Sequence, residues 1–402
     1  MSVLHLVFTT KGGGAGIAAA RLHEGLIERK YKSYILTIDD FKKTNIFKNL
    51  LIKYLSIILC KLDISSYWFP QSIGLFGQGL VSKINDHQAN IVHIHWINQG
   101  FLSIKEISEI KKPIVWTLHD EWFYSGSEHY ETKGKLVFES IINNEKVFLP
   151  KFIRKISFNI RYLLSNIILD YKLSSWSKKS FYVISPSKWA LKKLRKSKIK
   201  NLICKSLVSE NLISSSSFDN EISSISSKII LYVSSQGIAD IRKGGFIIKP
   251  LIPFIRSLGY QLHIVGDYKN SKSKIKHSHN VFFHGKLKNR DLFLLMTKSS
   301  ILFHPSLVDN KPNVMIESLL AGCPVITFNS GGQKEIINSK NEGICVENYS
   351  VKSFKKAFLE IINSKQNTID SRNARVKRAR NIYGNNNSLS IHLGLYEEID
   401  NV

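Results

Sequence analysis

Cysteine is scarce and dispersed. Cys60, Cys204, Cys323 and Cys345 form no Cys-x-x-Cys pair, so neither a zinc ribbon nor a dithiol redox centre is expected, and a reduced cytosolic setting fits. Long apolar runs are missing too, and none reaches the roughly 20 residues that cross a bilayer. Met1 to Phe8 lacks the basic region and long apolar region of a leader and reads as a first strand. No repeat of solenoid period is present. Acidic residues are the minority, 31 Asp and Glu against 57 Lys and Arg.

The resulting formal charge of +26 attracts anions, whether nucleic acid, anionic lipid or phosphorylated small molecules. Two stretches concentrate it. Lys188 to Lys198 reads as a basic helix with Trp189 and Leu194 packing inward. Phe41 to Leu62 mixes Lys42, Lys43, Lys48, Lys53 and Lys61 with Leu, Ile, Phe and Tyr. Each fits peripheral contact with an anionic membrane, and each fits a solvated helix face equally well. A basic nucleic-acid-binding protein is the competing class, but neither aromatic stacking platforms nor a reading helix is evident.

With 402 residues, 43% of them hydrophobic, the chain can bury two sizeable cores. Leu4–Phe8, a glycine-rich turn from Gly12 to Gly16 and a helical pattern from Ile17 to Arg29 open a doubly wound α/β domain. Strand-like runs follow at Ser33–Thr37, Ile91–His95, Pro113–Thr117 and Phe181–Ser185. Ser209 to Ser227 is rich in Ser and Asn, and after it the alternation restarts at Ile229–Val233, Gln261–Gly266, Val281–Gly285 and Ser300–His304. The expected organisation is a domain over 1–208, a linker over 209–227, a second domain over 228–375, and C-terminal helices over 376–402.

His304 to Ile337 carries the most chemistry. It holds a strand end, a polar loop, a short helix predicted to start at Pro312 and end before Gly322, the strand Val325–Phe328 and a glycine turn. A helix N-terminus at Asn310-Lys311-Pro312-Asn313 offers backbone N–H groups to an anion. Asp309 before the helix and Glu317 inside it supply carboxylates that can grip sugar hydroxyls. Phosphate donors beside such carboxylates suggest a nucleotide-sugar site.

This run resembles the donor-site signature of the retaining GT-B glycosyltransferases of family 4 (glycosyl transferases group 1). In that family two acids stand eight positions apart, followed by Gly-x-Pro-Val and Gly-Gly-x-x-Glu. Here Asp309 and Glu317 have that spacing, followed by Gly322-Cys323-Pro324-Val325 and Gly331-Gly332-Gln333-Lys334-Glu335. The Asp-Asn-x-Pro-Asn wording is similar to the branch that builds colanic acid, capsule and O-antigen. The resemblance implies a GT-B fold, two Rossmann-like domains facing an interdomain cleft, with a C-terminal helix returning to the first domain. It implies hexosyl transfer with retention from a UDP- or GDP-linked sugar to a glycan acceptor, free or lipid-linked, without a metal cofactor. The expected location is cytoplasmic, with peripheral contact at the inner face of the plasma membrane as one option that the basic stretches offer; a GT-B-shaped sugar-nucleotide epimerase is a further alternative.

The same resemblance assigns other residues. Gly13 and Gly14 line the loop near the donor phosphate, and His119, at a strand's carboxyl end, lies beside the anomeric centre. Lys243 binds the leaving diphosphate. The family's partner Arg, just after the strand, is replaced by Ser234, Ser235 and Gln236, so that either Arg242 from the neighbouring position or the serine hydroxyls would take its place. Asp309 replaces the usual Glu and is assigned to hydroxyls of the transferred sugar, Glu317 to the ribose. Asp120-Glu121 and Glu128-His129-Tyr130 are candidates for an acceptor pocket. His93 and His95 alternate on a strand and invite a metal, but no third ligand stands at suitable spacing.

Overall fold

The computed structural model describes residues 1–41, 71–130, 151–213, 228–267, 279–364 and 367–401. The basic stretch from Lys42 to Leu62 and the serine-rich segment from Ser214 to Ser227 lie outside the described residues. The chain divides into two units. One is drawn from Met1–Glu131, Leu149–Leu212 and Asn385–Val402; the other is built on Ile213–Gly384.

The first unit holds a six-stranded parallel sheet of β1 (Ser2–Leu6), β2 (Lys32–Leu36), β3 (Ile91–Ile94), β4 (Ile114–Thr117), β5 (Phe181–Ser185) and β6 (Ile203–Val208). Their order is β2-β1-β3-β4-β5-β6. Strands β1, β3 and β4 are buried at every position, as expected of parallel strands covered on both faces. Helix α1 (Gly14–Glu28) covers one face with Ala18, Ala19, Leu22 and Leu26. It begins three residues earlier than the apolar pattern indicates. Gly16 sits in its first turn, where a Cβ would lie 2.1 Å from the Thr9 carbonyl oxygen, so only glycine lets the helix start this close to β1. Shorter helices α2 (Val81–Asn85) and α3 (Ile104–Glu109) follow, then α4 (Lys151–Ser175) and α5 (Lys188–Leu194).

The second unit repeats the plan with β7 (Ile229–Val233), β8 (Gln261–Val265), β9 (Val281–Gly285), β10 (Ile301–His304), β11 (Val325–Phe328) and β12 (Gly343–Val346). All pairs are parallel, in the order β12-β11-β10-β7-β8-β9. Helices α6 (Gly245–Ser257), α7 (Asn289–Lys298), α8 (Asn313–Leu320), α9 (Val351–Ile362) and α10 (Ile369–Tyr383) accompany it. The last helix, α11 (Asn385–Asp400), belongs to the first unit, where Leu389, Leu395, Tyr396 and Ile399 join Val3, Leu22 and Ile91 in one core.

In both sheets the strand order reverses beside the unit's first strand, between β1 and β3 and between β7 and β10. Ligands of open α/β sheets bind at such reversals, outside the carboxyl ends of the strands. Gly13, Gly14, His119, Arg242, Lys243 and Asp309 to Asn313 lie on loops or helix starts following one of these strand ends or that of β4 next to them, and Glu317 stands within the helix after β10.

The basic run Lys188 to Lys198 is α-helical only to Leu194. Leu194 is buried and Trp189 half-buried against the core. Lys193 is consumed internally: its Nζ lies 2.5 Å from Oε1 of Glu121, a carboxylate with no solvent exposure, and 4.8 Å from the Trp189 ring centroid. This helix therefore neutralises a buried acid with one of its cations.

Candidate functional site

In the second unit the loop after β7 is built around Asp240. Its carboxylate accepts from the Lys243 N–H at 3.0 Å and from the Ser234 hydroxyl at 3.1 Å, and its carbonyl accepts from the Gly245 N–H. Gly244, at φ 76°, turns the chain into α6; a Cβ there would lie 1.9 Å from the Pro305 carbonyl oxygen. The loop is thus pressed against the segment after β10, and the Leu307 N–H donates to the Arg242 carbonyl at 2.8 Å.

This packing gathers four charged or titratable side chains. The Lys243 ammonium bonds the Asp309 carboxylate, Arg242 Nη1 stands 3.9 Å from the same Oδ2, and His304 Nε2 stands 3.5 Å from it. Burial works to raise the Asp309 carboxyl, but Lys243, His304 and Arg242 together hold it well below the usual carboxylate range. Burial pushes His304 below its ordinary value despite the opposing pull of Asp309. Arg242 also donates to the Val308 carbonyl at 3.3 Å, so its guanidinium is directed at the 305–309 segment. Of the residues replacing the upstream Arg, Ser234 is committed to Asp240.

Asn310 and Lys311 are buried after Asp309, and Lys311 Nζ lies 3.9 Å from Glu335 Oε2. The glycine turn is tied to the same segment: Gly332 N–H donates to the Asp309 carbonyl, and Ser330 Oγ and Gln333 Nε2 donate to the Ser306 carbonyl. Pro312 is the cap of α8 and not its first helical residue, because its ψ of 113° keeps it extended; Asn313 begins the helix. Asn313 and Glu317 are half-buried. Asp309, Lys243, Arg242 and the start of α8 therefore form one cluster, with Glu317 further along the same helix.

Behind it stand two residues that sequence reading missed. Arg372 and Arg375 on α10 are fully buried. Arg372 donates to the Ser299, Thr297 and Ala321 carbonyls, and Arg375 to the Asn341 and Gly322 carbonyls and to Asn341 Oδ1. Ala321 and Gly322 end α8, so these guanidiniums satisfy carbonyls that a helix terminus leaves open. The only signal in the sequence is an i, i+3 arginine pair in a basic helix.

In the first unit Gly13, at φ 76°, caps α1 and Gly14 is its first residue. His119 follows β4. Burial brings its imidazolium down to about 4, against the opposing pull of Asp120, so it is neutral near pH 7. Its Nε2 lies 3.0 Å from His95 Nδ1, and His95 Nε2 lies 3.0 Å from His5 Nδ1. His119, His95, His392 and Ser209 line a small cavity. Asp120 accepts from Trp96 Nε1 and the Trp122 N–H and pairs with His129 Nδ1, whose Nε2 meets Ser72 Oγ at 2.8 Å. Glu121 and Glu128 are taken by Lys193 and Arg161.

The third histidine absent from the sequence reading is His5, register partner of His93 on the neighbouring strand. Ligand atoms of His5, His93 and His95 lie within 4.8 Å of one another, close enough to share an ion. Both nitrogens of His93 are already engaged, by Tyr396 and Thr117, and His5 is bonded to His95. A metal would have to displace these bonds.

Residues 251–382 match the family model "Glycosyl transferases group 1". The chain carries a group 1 glycosyltransferase domain. No curated protein matches the chain by sequence. Among solved structures, this glycosyltransferase is similar to Anabaena HepE in complex with UDP-glucose, with a TM-score of 0.60, 14% identity and full coverage of both chains. It is also similar to WaaG, a glycosyltransferase involved in lipopolysaccharide biosynthesis, at TM-score 0.58, 14% identity and 99% coverage of each chain. Sucrose-phosphate synthase from Thermosynechococcus elongatus gives TM-score 0.62, 12% identity and 99% coverage of each. At these identities the likeness is one of fold, and that fold is GT-B.

Proposed function

We propose that the glycosyltransferase moves a hexosyl group, with retention, from a nucleoside-diphosphate sugar to a hydroxyl of a glycan acceptor in bacterial surface polysaccharide synthesis. The observation that carries this reading is the convergence of Lys243 and Arg242 on Asp309 at the start of α8. Breaking the anomeric bond leaves a diphosphate, so the principal demand is stabilisation of growing negative charge. Lys243, Arg242 and the N–H groups opening α8 meet that demand with fixed positive ends. Asp309 holds hydroxyls of the transferred sugar, and the Lys243 pair keeps it ionised and ready to accept them. Glu317 accepts two hydrogen bonds from the ribose diol. His119, neutral, contacts the sugar near its anomeric carbon, and Gly13 and Gly14 leave room beside the phosphates. The HepE complexes with UDP-glucose and UDP support a UDP-linked donor, and the WaaG likeness supports a surface-glycan role.

Two outcomes are expected. Nuclear magnetic resonance of the product shows the anomeric configuration of the donor sugar, and transfer continues at full rate in excess EDTA. An inverted product removes the retaining mechanism; strict dependence on an added divalent ion removes the charge-based account. Glu317→Ala weakens donor affinity by about 10-fold or more, from loss of two charge-assisted hydrogen bonds; unchanged affinity in the folded variant rules out its ribose role. Salt-sensitive binding to DNA without binding to any nucleotide sugar would favour the nucleic-acid reading instead.

A further inference from the structure

His5, His95 and His119 form a continuous string across the carboxyl ends of β1, β3 and β4. Two imidazole–imidazole contacts of 3.0 Å join them, His5 Nδ1 to His95 Nε2 and His95 Nδ1 to His119 Nε2. Each contact needs one protonated and one bare nitrogen, so among neutral rings the choice at one end sets every other. Only two arrangements exist. Either each ring carries its proton on Nδ1 or each carries it on Nε2.

The inner end decides between them. His5 has no solvent exposure, and its Nε2 is buried without a hydrogen-bond partner among the described residues. A buried N–H with no acceptor is rarer and more costly than a bare lone pair. His5 therefore carries its proton on Nδ1 and donates to His95, and His95 donates from Nδ1 to His119 Nε2. The neighbouring His93 does not interrupt this: its ring stacks on His95 at 4.2 Å while Tyr396 and Thr117 occupy its nitrogens.

We propose that His5 and His95 are positioning residues that hold His119 in the Nδ1-protonated tautomer, so that His119 presents a hydrogen-bond donor, and not an acceptor, to whatever enters beside it. A donor there fits an electron-rich partner, a sugar oxygen or a donor phosphate oxygen. The catalytic consequence rests on the reading of His119 as a donor-contacting residue; the tautomer itself does not.

The test uses the full chain labelled with ¹⁵N-histidine, with ring proton–nitrogen correlation spectra assigned by single histidine variants. In the unaltered protein His5, His95 and His119 should each show a protonated Nδ1 and a bare Nε2. A protonated Nε2 on His119 overturns the proposal, and this arm needs no variant of the string. In His95→Ala, folding checked by circular dichroism, the cavity that both rings line is enlarged and water, donor or acceptor alike, meets His119 Nε2, so His119 should become a mixture of tautomers. A single unshifted form of His119 in folded His95→Ala also overturns it. With transfer as readout, His95→Ala should lower kcat by roughly tenfold, on the scale seen when a partner that orients a functional histidine is lost, with little change in KM. If the tautomer shifts as stated while His119→Ala transfers normally, the string stands and the role given to His119 falls. If His119→Ala is inactive and the tautomer never shifts, the reverse holds.

Discussion

Lys243→Ala lowers kcat/KM for glycosyl transfer by about 10²–10³-fold, some 3–4 kcal/mol of transition-state stabilisation, on the scale of losing one preorganised donor from an oxyanion site. The same change removes the ammonium that bonds Asp309, a residue only 8% exposed, and so leaves a buried carboxylate short of its main partner. Breaking a buried pair from one side costs about 3–5 kcal/mol of stability, so loss of activity alone would be ambiguous. Asp309→Asn in the Lys243→Ala background isolates the stability effect. It relieves the stranded charge and should return most of the stability measured by urea unfolding, but it supplies no cation and should not return transfer. Recovery of transfer in the double variant would mean that Lys243 acts on the fold and not on the leaving group. The pH dependence has a defined sign. The Asp309 carboxyl is held below its unfolded value, so its contribution to stability is complete above about pH 4 and is lost as pH falls through the folded value. Lys243→Ala should weaken that acid-side dependence.

Arg375→Met destabilises the second unit by about 3–5 kcal/mol, the largest effect expected from a residue outside the donor cluster. Its guanidinium has no solvent exposure and serves the carbonyls of Gly322 and Asn341 as well as the Asn341 side chain. Methionine fills a similar volume but leaves those carbonyls buried and unsatisfied. Burial brings the Arg375 pKa down only to about 10, so the charge is retained at neutral pH and the bonds are charge-assisted. Arg375→Lys should recover less than half of the loss, because an ammonium cannot serve the guanidinium's directions at once. Because Gly322 terminates α8, donor affinity should fall along with the urea midpoint of this unit. A Met variant as stable as the unaltered protein would show that the clamp is dispensable.

The α/β alternation was legible because strands buried on both faces read as unbroken apolar runs, and glycine and proline punctuate the turns between them. The donor cluster was legible in part. Asp309 and Glu317 share one local unit whose loop, helix and strand follow from nearby residues. Pro312 was misplaced by one position, since its fixed φ suits both a cap and a first helical residue and only ψ separates them. The histidine string was not legible. His-x-His on β3 was visible, but His5 reaches it by pairing of strands far apart in sequence. Glu121 and Lys193, 72 positions apart, met in the same way, which turned a basic surface into an internal ion pair. Arg372 and Arg375 drew no attention in the sequence because nothing local signals the carbonyls they serve.

Calorimetric titration of the unaltered protein with UDP- and GDP-sugars, UDP-glucose first, bears most directly on the central claim. The account requires saturable one-to-one binding of at least one such donor, with affinity reduced in Glu317→Ala and in Lys243→Ala. Absence of binding to every nucleoside-diphosphate sugar, or equal affinity in both folded variants, would contradict it.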